Sequence, residues 1–340
     1  MSVFANRKLV WMITLILASL VLLAACGGQE GTSEDTEEDQ EQQDQNGADE
    51  ETDENATSDA REVTHAMGTT PIEGTPMKIV TLYQGATDAI VAFGVTPVGA
   101  VESWVQQPTY EYLRDDLEGV TIVGTETQPN LEEIAKLDPD LIIASKMRHE
   151  EIYDQLAQIA PTVAHETVFD FKGTVELMGQ AMNQEDKATE LLTAWDERVA
   201  DFKEKVAAEL GDEWPVNVSV LNFRADHARI YYTGFAGSIL AELGFTRPES
   251  QQSDEWGIQL PDKEAIPSMN ADVFYIFNED DPAVAKTFEE WQSHPLWANL
   301  DAVKNDQVYM VDEVTWNMAG GILAANLMLD DIYDRFGLEQ

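Results

Sequence analysis

Short apolar runs alternate with helix-period stretches over most of the chain. Runs of strand length stand at Lys78–Tyr83, Val98–Val101, Val120–Val123, Leu141–Ser145 and Thr162–His165, with amphipathic segments between them. Between the first two runs, Ala86–Gly94 reads as a short helix closed by a glycine. Strands that alternate with helices predict parallel βαβ units and an open α/β sheet. This puts a first lobe at residues 63–172. The longest helical pattern follows, from Glu185 to Leu210. Its apolar positions Ala188, Leu191, Leu192, Trp195, Val199, Phe202, Val206 and Leu210 step by three and four, and Gly211 ends it. At 1.5 Å per residue such a helix reaches roughly 40 Å. Within a linking segment, residues 173–211, it is either a rigid connector or an ordinary packed helix. Apolar runs resume at Val216–Phe223, Arg229–Thr233, Asp272–Phe277 and Gln307–Val311, and a last helix over residues 320–336 closes a second lobe, residues 212–340.

The two lobes share a repeat. Glu132-Glu133-Ile134-Ala135-Lys136-Leu137-Asp138-Pro139-Asp140-Leu141 aligns with Glu264-Ala265-Ile266-Pro267-Ser268-Met269-Asn270-Ala271-Asp272-Val273. Glutamate, apolar residues two and five later, then Asp and a strand fall at the same offsets, so helix, tight turn and strand are duplicated. The expected architecture is therefore α/β, with two Rossmann-like lobes, a single long α-helix joining them and a ligand cleft between. A length of 340 residues suits two such lobes.

The N-terminus carries Arg7 and Lys8, an apolar run from Leu9 to Leu23, and small residues just before the chain's single cysteine, Cys26. This is the layout of a signal peptide over residues 1–25. The alternative is an uncleaved membrane anchor, because the run approaches spanning length. Residues 26–62 are mostly Glu, Asp, Gln, Thr, Ser and Asn, too polar to offset the entropy of ordering, and predict an acidic, disordered tether. With no second cysteine, the chain can form no internal disulfide.

Charge changes the picture further. The chain has 64 Asp and Glu against 20 Lys and Arg, a formal net charge of -44. That excess argues against nucleic acid and against electrostatic binding to anionic lipid. It also makes clustered cations conspicuous. Lys146, Arg148 and His149 follow the run that ends at Ser145; Arg224, His227 and Arg229 follow the run that ends at Phe223. Ligands of open α/β sheets bind beyond the carboxyl ends of the strands, so the two clusters are expected to face each other across the cleft and hold an anion. Guanidinium forks suit oxygen-rich anions. Trp104, Tyr231, Trp316 and Asn317, also near strand ends, would add flat walls and a polar contact. Each has a plainer reading. His149 and His227 could be structural histidines, Trp104 and Trp316 core residues, Lys146 a surface lysine. No Gly-x-Ser-x-Gly elbow, glycine-rich phosphate loop or His-Glu-x-x-His occurs, and the five histidines lack close metal-ligand spacing. No catalytic residue and no metal site is expected.

Several further stretches stand out: His65-Ala66-Met67-Gly68-Thr69-Thr70, Gly74-Thr75-Pro76, Asn130-Leu131-Glu132, Leu137-Asp138-Pro139-Asp140, Lys146-Met147-Arg148-His149-Glu150, His294-Pro295-Leu296-Trp297, Val303-Lys304-Asn305 and Val308-Tyr309. Together they resemble the iron-siderophore substrate-binding lipoproteins of ABC importers. The sequence around Cys26 likewise resembles a lipoprotein cleavage box. The resemblance implies a long-helix-linked receptor, not an enzyme, anchored by lipid on Cys26 to the extracytoplasmic face of the cell membrane. It implies a shallow cleft lined by Arg, Trp and Tyr that clasps a ferric siderophore by its organic shell, with no further cofactor. It implies delivery to an ABC permease through one surface glutamate per lobe, by position Glu132 and Glu264. The alternative for those glutamates is a helix-dipole role, although Asn130 with Glu133 would make the capping pair. A monomer is expected. Among siderophore binders the chain looks most like Bacillus-type receptors for hydroxamate or hydroxamate-citrate chelates. Relatives for more anionic chelates carry arginines in the last loop, and Glu313–Asn317 has none. A haem or corrinoid binder of the same fold and an exported α/β hydrolase are the alternatives.

Overall fold

The computed structural model describes residues 60–340. The signal peptide, Cys26 and nearly all of the acidic tether lie outside the described residues.

The chain enters as an antiparallel hairpin, β1 (Ala60–His65) and β2 (Gly68–Glu73). Sequence reading misses it because only Val63 and Ile72, one per strand, are buried on it. Its anchors are polar: the Thr70 hydroxyl donates to the Thr162 carbonyl at 2.9 Å, and Arg61 donates to the carbonyls of Gly74, Gln180 and Ala181.

The first sheet contains β3 (Ile79–Thr81), β4 (Gly99–Glu102), β5 (Thr121–Thr125), β6 (Gln128–Pro129), β7 (Leu141–Ser145) and β8 (Thr162–His165). Its order is β6-β5-β4-β3-β7-β8, parallel except for the short β6 at the edge. Its helices are α1 (Gln84–Ala92), α2 (Leu131–Lys136), α3 (Lys146–His149) and α4 (Tyr153–Ala157). Every residue of β7 is buried, as a strand covered on both faces must be.

Helices α5 (Phe171–Met182) and α6 (Glu185–Leu210) follow. The α6 helix is the uninterrupted 26-residue element that its periodicity predicts. Towards its middle, Trp195 packs edge-on against Phe171 of α5; about two turns on, Phe202 sits in an aromatic cluster with Trp214, Phe245 and Tyr333. One apolar stripe thus covers the backs of both lobes, so the helix is connector and packed element at once.

The second sheet contains β9 (Val218–Phe223), β10 (Ala228–Tyr231), β11 (Gly257–Leu260), β12 (Val273–Ile276) and β13 (Val308–Met310), ordered β11-β10-β9-β12-β13. It carries α7 (Gly234–Leu243), α8 (Pro282–Gln292), α9 (Asp301–Lys304) and α10 (Ile322–Arg335). Here the expectation of parallel strands fails on one side: β10 runs antiparallel to both β9 and β11. Four residues separate β9 from β10, too few for a crossover and enough for a hairpin, which the Arg224 amide closes on the His227 carbonyl at 2.8 Å.

The duplicated unit behaves alike in both lobes. Asp140, before β7, accepts from the amides of Met77 and Lys78, which lead into neighbouring β3. Asp272, before β12, accepts from the amide of Asn217, which leads into neighbouring β9. Upstream, Asn130 and Asp262 cap their helices by accepting from the amides of Glu132 and Glu264, each at 3.1 Å. Pro267 makes the second copy a 3-10 helix.

The lobes are not separate bodies. Tyr83, Ile90, Val220, Tyr275, Trp316 and Met328 belong to one continuous core. Helix α10 does more than close the second lobe, because its N-terminus is gripped by Asp88 of α1.

Candidate functional site

The carboxyl ends of the two sheets meet over a floor made by close backbone contact. A Cβ on Gly85 would stand 2.6 Å from the Gly320 carbonyl oxygen, so the approach of the two chains there requires glycine. Beside it the Tyr110 hydroxyl donates to the Met318 carbonyl at 3.2 Å. Above this floor lies a cavity of about 240 Å³. First-lobe residues Gln84, Trp104, Glu126, Arg148 and Phe169 line one side, and Tyr231 with Asn317–Gly320 the other.

Arg148 is held by a carboxylate that sequence reasoning did not single out. Glu126, just past β5, has a side chain only 3% exposed. One oxygen accepts from Arg148 Nε at 2.9 Å and the other from the Gln84 amide at 3.1 Å. The guanidinium is therefore fixed through Nε, and among the described residues no acceptor engages its two terminal nitrogens. In a chain this rich in acid, nothing marks one glutamate at a strand end as different. Trp104 stands at the mouth, 43% exposed.

His149 turns inward and does not line the cavity. It is buried, its Nδ1 accepts from the Ser145 amide at 3.0 Å, and its Nε2–H donates to the Glu126 carbonyl at 2.9 Å. Burial pushes its pKa below the usual value, which keeps this neutral form. Its work is to hold the segment that carries Glu126. Trp316 is corrected likewise. It has no exposed surface, packs at a tilt against Tyr275 with centroids 4.6 Å apart, and donates from Nε1 to Asp331 at 2.9 Å. The π-helical turn Val314–Met318 sends Trp316 into the core and leaves Asn317 lining the cavity. Lys146 pairs at the surface with Glu166.

The second cationic cluster also stands elsewhere than expected. Arg224, His227 and Arg229 come together, but around a neighbouring shallow cavity with Glu279 and Asp281, not opposite Arg148. The β9–β10 hairpin carries them to that side, where local carboxylates occupy Arg224 and His227, and His227 in turn holds Arg229. Arg224 pairs with Glu279 at 3.0 Å and lies 3.9 Å from Glu313, whose carboxyl burial pushes above its ordinary pKa while Arg224 opposes the rise. His227 Nδ1–H donates to Asp226 at 2.6 Å, and its Nε2 accepts from Arg229 Nε at 3.0 Å. The Arg229 guanidinium also lies 5.9 Å from the centre of the Trp256 ring.

Glu132 and Glu264 are both exposed on the helices of the duplicated unit. Glu132 reaches Lys136 at 3.0 Å, and Glu133 turns to the same lysine at 2.8 Å instead of completing a reciprocal cap. Among the described residues no group of three or more His, Cys, Asp or Glu could hold a metal, and no helix is long and apolar enough to cross a membrane.

The model of the periplasmic binding protein family matches residues 79–315. The chain belongs to that family. Within this periplasmic binding protein family it is 42% identical over 342 residues to the probable siderophore-binding lipoprotein YfiY of Bacillus subtilis, covering 97% of this chain and 98% of the other. It is 46% identical over 260 residues to the achromobactin-binding periplasmic protein of Dickeya dadantii, covering 76% of this chain and 85% of that protein. The solved structure of Staphylococcus aureus SirA complexed with staphyloferrin B superposes with a TM-score of 0.80 at 52% identity, covering 82% of this chain and 99% of that one. Two lobes joined by a long helix are thus the architecture of the chain's relatives as well as its own.

Proposed function

We propose that the protein is an extracytoplasmic receptor that captures a ferric siderophore in the cleft and delivers it to an ABC permease for iron uptake. The observation that carries this reading is Arg148. Its guanidinium is fixed through Nε by a buried carboxylate, in a cavity whose mouth holds Trp104 and whose far wall holds Tyr231. A fixed fork loses little further freedom on engaging the oxygen-rich shell of a ferric chelate, and an iron already held by its chelator needs no ligand from the protein. The proposed contacts are Trp104, Arg148, Tyr231 and Asn317, with Arg224 and Arg229 on an adjacent rim. The relatives bring staphyloferrin B and achromobactin forward as first candidates, beside the hydroxamate-citrate class.

The same reading anchors the chain by lipid on Cys26 and treats the acidic segment as a spacer. Glu132 and Glu264 dock the permease. Their equal positions in the duplicated unit, two residues after a capping side chain, support this. The Lys136 pair does not stand in the way, because exposed ion pairs contribute only about 0–1 kcal/mol. The receptor acts as a monomer and catalyses no reaction.

Tryptophan-fluorescence titration tests the reading. Ferric staphyloferrin B, ferric achromobactin, a schizokinen-type chelate, ferrioxamine and ferric citrate should be compared with haem and cobalamin. At least one ferric chelate should bind far more tightly than haem or cobalamin. Failure of every ferric chelate to bind better than roughly millimolar would overturn it.

A further inference from the structure

Beside the Arg148 cavity opens a second one of about 170 Å³, and the two share Phe169, Tyr231 and Asn317 as common wall. The second cavity has a different character. Val220 of β9, Phe235 and Ala236 of α7 and Phe277 after β12 form its inner surface. Trp256, 45% exposed, and Phe169, 36% exposed, stand on this one cavity and make its mouth an exposed aromatic patch. Trp256 is held in place, edge-on to Tyr231 at 5.6 Å and beneath the Arg229 guanidinium at 5.9 Å.

We infer that this apolar annex is a distinct subsite that takes the organic linker or ring of the bound chelate while Arg148 engages its oxygen-rich end. The inference rests on the siderophore-receptor reading and specifies what kind of siderophore the cleft selects. A multidentate chelator joins its iron-binding groups through carbon chains or rings, so its ferric complex has polar and apolar faces. The annex is of the size to use that difference, since an apolar cavity of ~150 Å³ accommodates benzene. Its continuity with the Arg148 cavity lets one ligand reach both. A chelate without an apolar segment would fill only the polar arm, so the annex discriminates between ferric chelates of similar charge.

Fluorobenzene, followed by fluorine NMR, probes the annex in the purified protein, and ferric staphyloferrin B probes the whole cleft. Wild type should broaden the fluorobenzene signal, and saturating ferric staphyloferrin B should restore it. Ala236→Leu, which puts a larger side chain on the annex wall, should abolish the fluorobenzene effect. It should also weaken ferric staphyloferrin B about tenfold, the effect of displacing roughly two methylene equivalents from apolar contact. Trp256→Ala, a change at a half-exposed position that folding tolerates, should weaken it in the same direction. Fluorobenzene that stays bound in the saturated complex, or undiminished chelate affinity in both variants, overturns the annex and leaves the receptor reading standing. Absence of any ferric chelate binding to wild type overturns the receptor reading itself.

Discussion

Replacing Asp88 with alanine should loosen the joint between the lobes, by an amount that depends on pH in a direction the structure dictates. Asp88 has no exposed surface. Its Oδ1 accepts from the Leu323 amide at 2.8 Å, and its Oδ2 from the Ala324 amide at 2.9 Å and the Tyr112 hydroxyl at 2.7 Å. The two amides are free donors of the first turn of α10, so one carboxylate from α1 caps a helix more than two hundred residues away. Alanine strands three donors, each costing roughly 1–3 kcal/mol if it stays dry. Opposing this, burial pushes the Asp88 carboxyl up to about 6 from 3.8, against the hydrogen bonds from Tyr112 and the start of α10 that favour its charge. At 1.36 kcal/mol per pH unit, keeping it ionised in the fold costs about 3 kcal/mol.

The sign follows from those two values. Between pH 3.8 and about 6 the folded chain keeps a proton that the unfolded chain releases, so this contribution to stability is full at low pH and is lost as pH rises through 6. The sequence pI of 4.1 sets the practical acid limit near pH 5, which leaves about 1.4 kcal/mol of the effect between pH 5 and 7.5. Denaturant unfolding of wild type and Asp88→Ala at both pH values isolates it, because every other titrating group cancels in the difference. The variant should be less stable by roughly 2 kcal/mol at pH 7.5 and by about 1.4 kcal/mol more at pH 5. A difference that is flat, or that grows as pH rises, would refute the reasoning.

Other expectations are briefer. Arg148→Ala should weaken chelate binding by about 1.5–3 kcal/mol, the range for hydrogen bonds to charged groups, and Glu126→Gln should weaken it less by misplacing the guanidinium; calorimetric titration giving unchanged affinity in both would remove this pair from the site. Trp316→Ala should cost roughly 3–5 kcal/mol of stability as a core truncation, yet leave affinity intact in protein that remains folded. His149→Ala should remove one titration: burial lowers the wild-type pKa below 6.5, so wild type loses more stability than the variant as pH falls through 6.5. Thermal melts at pH 5.5 and 7.5 would show it, and parallel curves would count against a buried neutral imidazole. Glu132→Ala with Glu264→Ala should leave binding untouched and lower iron uptake by cells; normal uptake would mean that docking lies elsewhere.

What the sequence discloses depends on whether a residue's role is set by pattern or by a partner. The α6 helix and the buried β7 are legible because period and length alone determine them. The duplicated Asp140 and Asp272 are legible as a repeat, though their job of pinning the next strand shows only when the strands are side by side. The cationic clusters are visible by their rarity, but rarity does not say which way a hairpin turns, so Arg224, His227 and Arg229 were expected opposite Arg148 and stand on an adjacent rim. His149 and Trp316 mislead for another reason. Each sits where ligand residues belong, and each is claimed by a partner on another element: the Glu126 carbonyl for His149, the Asp331 carboxylate for Trp316. Glu126 and Asp88 were invisible for the same cause. In a chain with 64 acidic residues, a carboxylate's importance lies entirely in what it meets.

The joint between the lobes bears on how the receptor can work. A hinge that swings open on ligand release needs a floor that can part. Here the floor holds the Gly85–Gly320 approach, the Tyr110–Met318 hydrogen bond, the Asp88 grip on α10 and a core that runs through both lobes. Parting it would strand buried donors and open apolar core, at a cost comparable with the whole stability of a domain, about 5–15 kcal/mol. Recognition therefore falls to the walls as they stand: Arg148 braced by Glu126, Trp256 braced by Arg229 and Tyr231, and Asn317 carried on a turn whose neighbour Trp316 is locked in the core. Side chains fixed before the ligand arrives lose little entropy when it binds, which is how a shallow cleft without closure reaches useful affinity. Release to the permease must then act on those rim elements, and the β7 strand offers a rigid route. On the proposed docking at Glu132, the buried β7 is what joins the two faces: Glu132 stands one helix before it and Arg148 three residues beyond it.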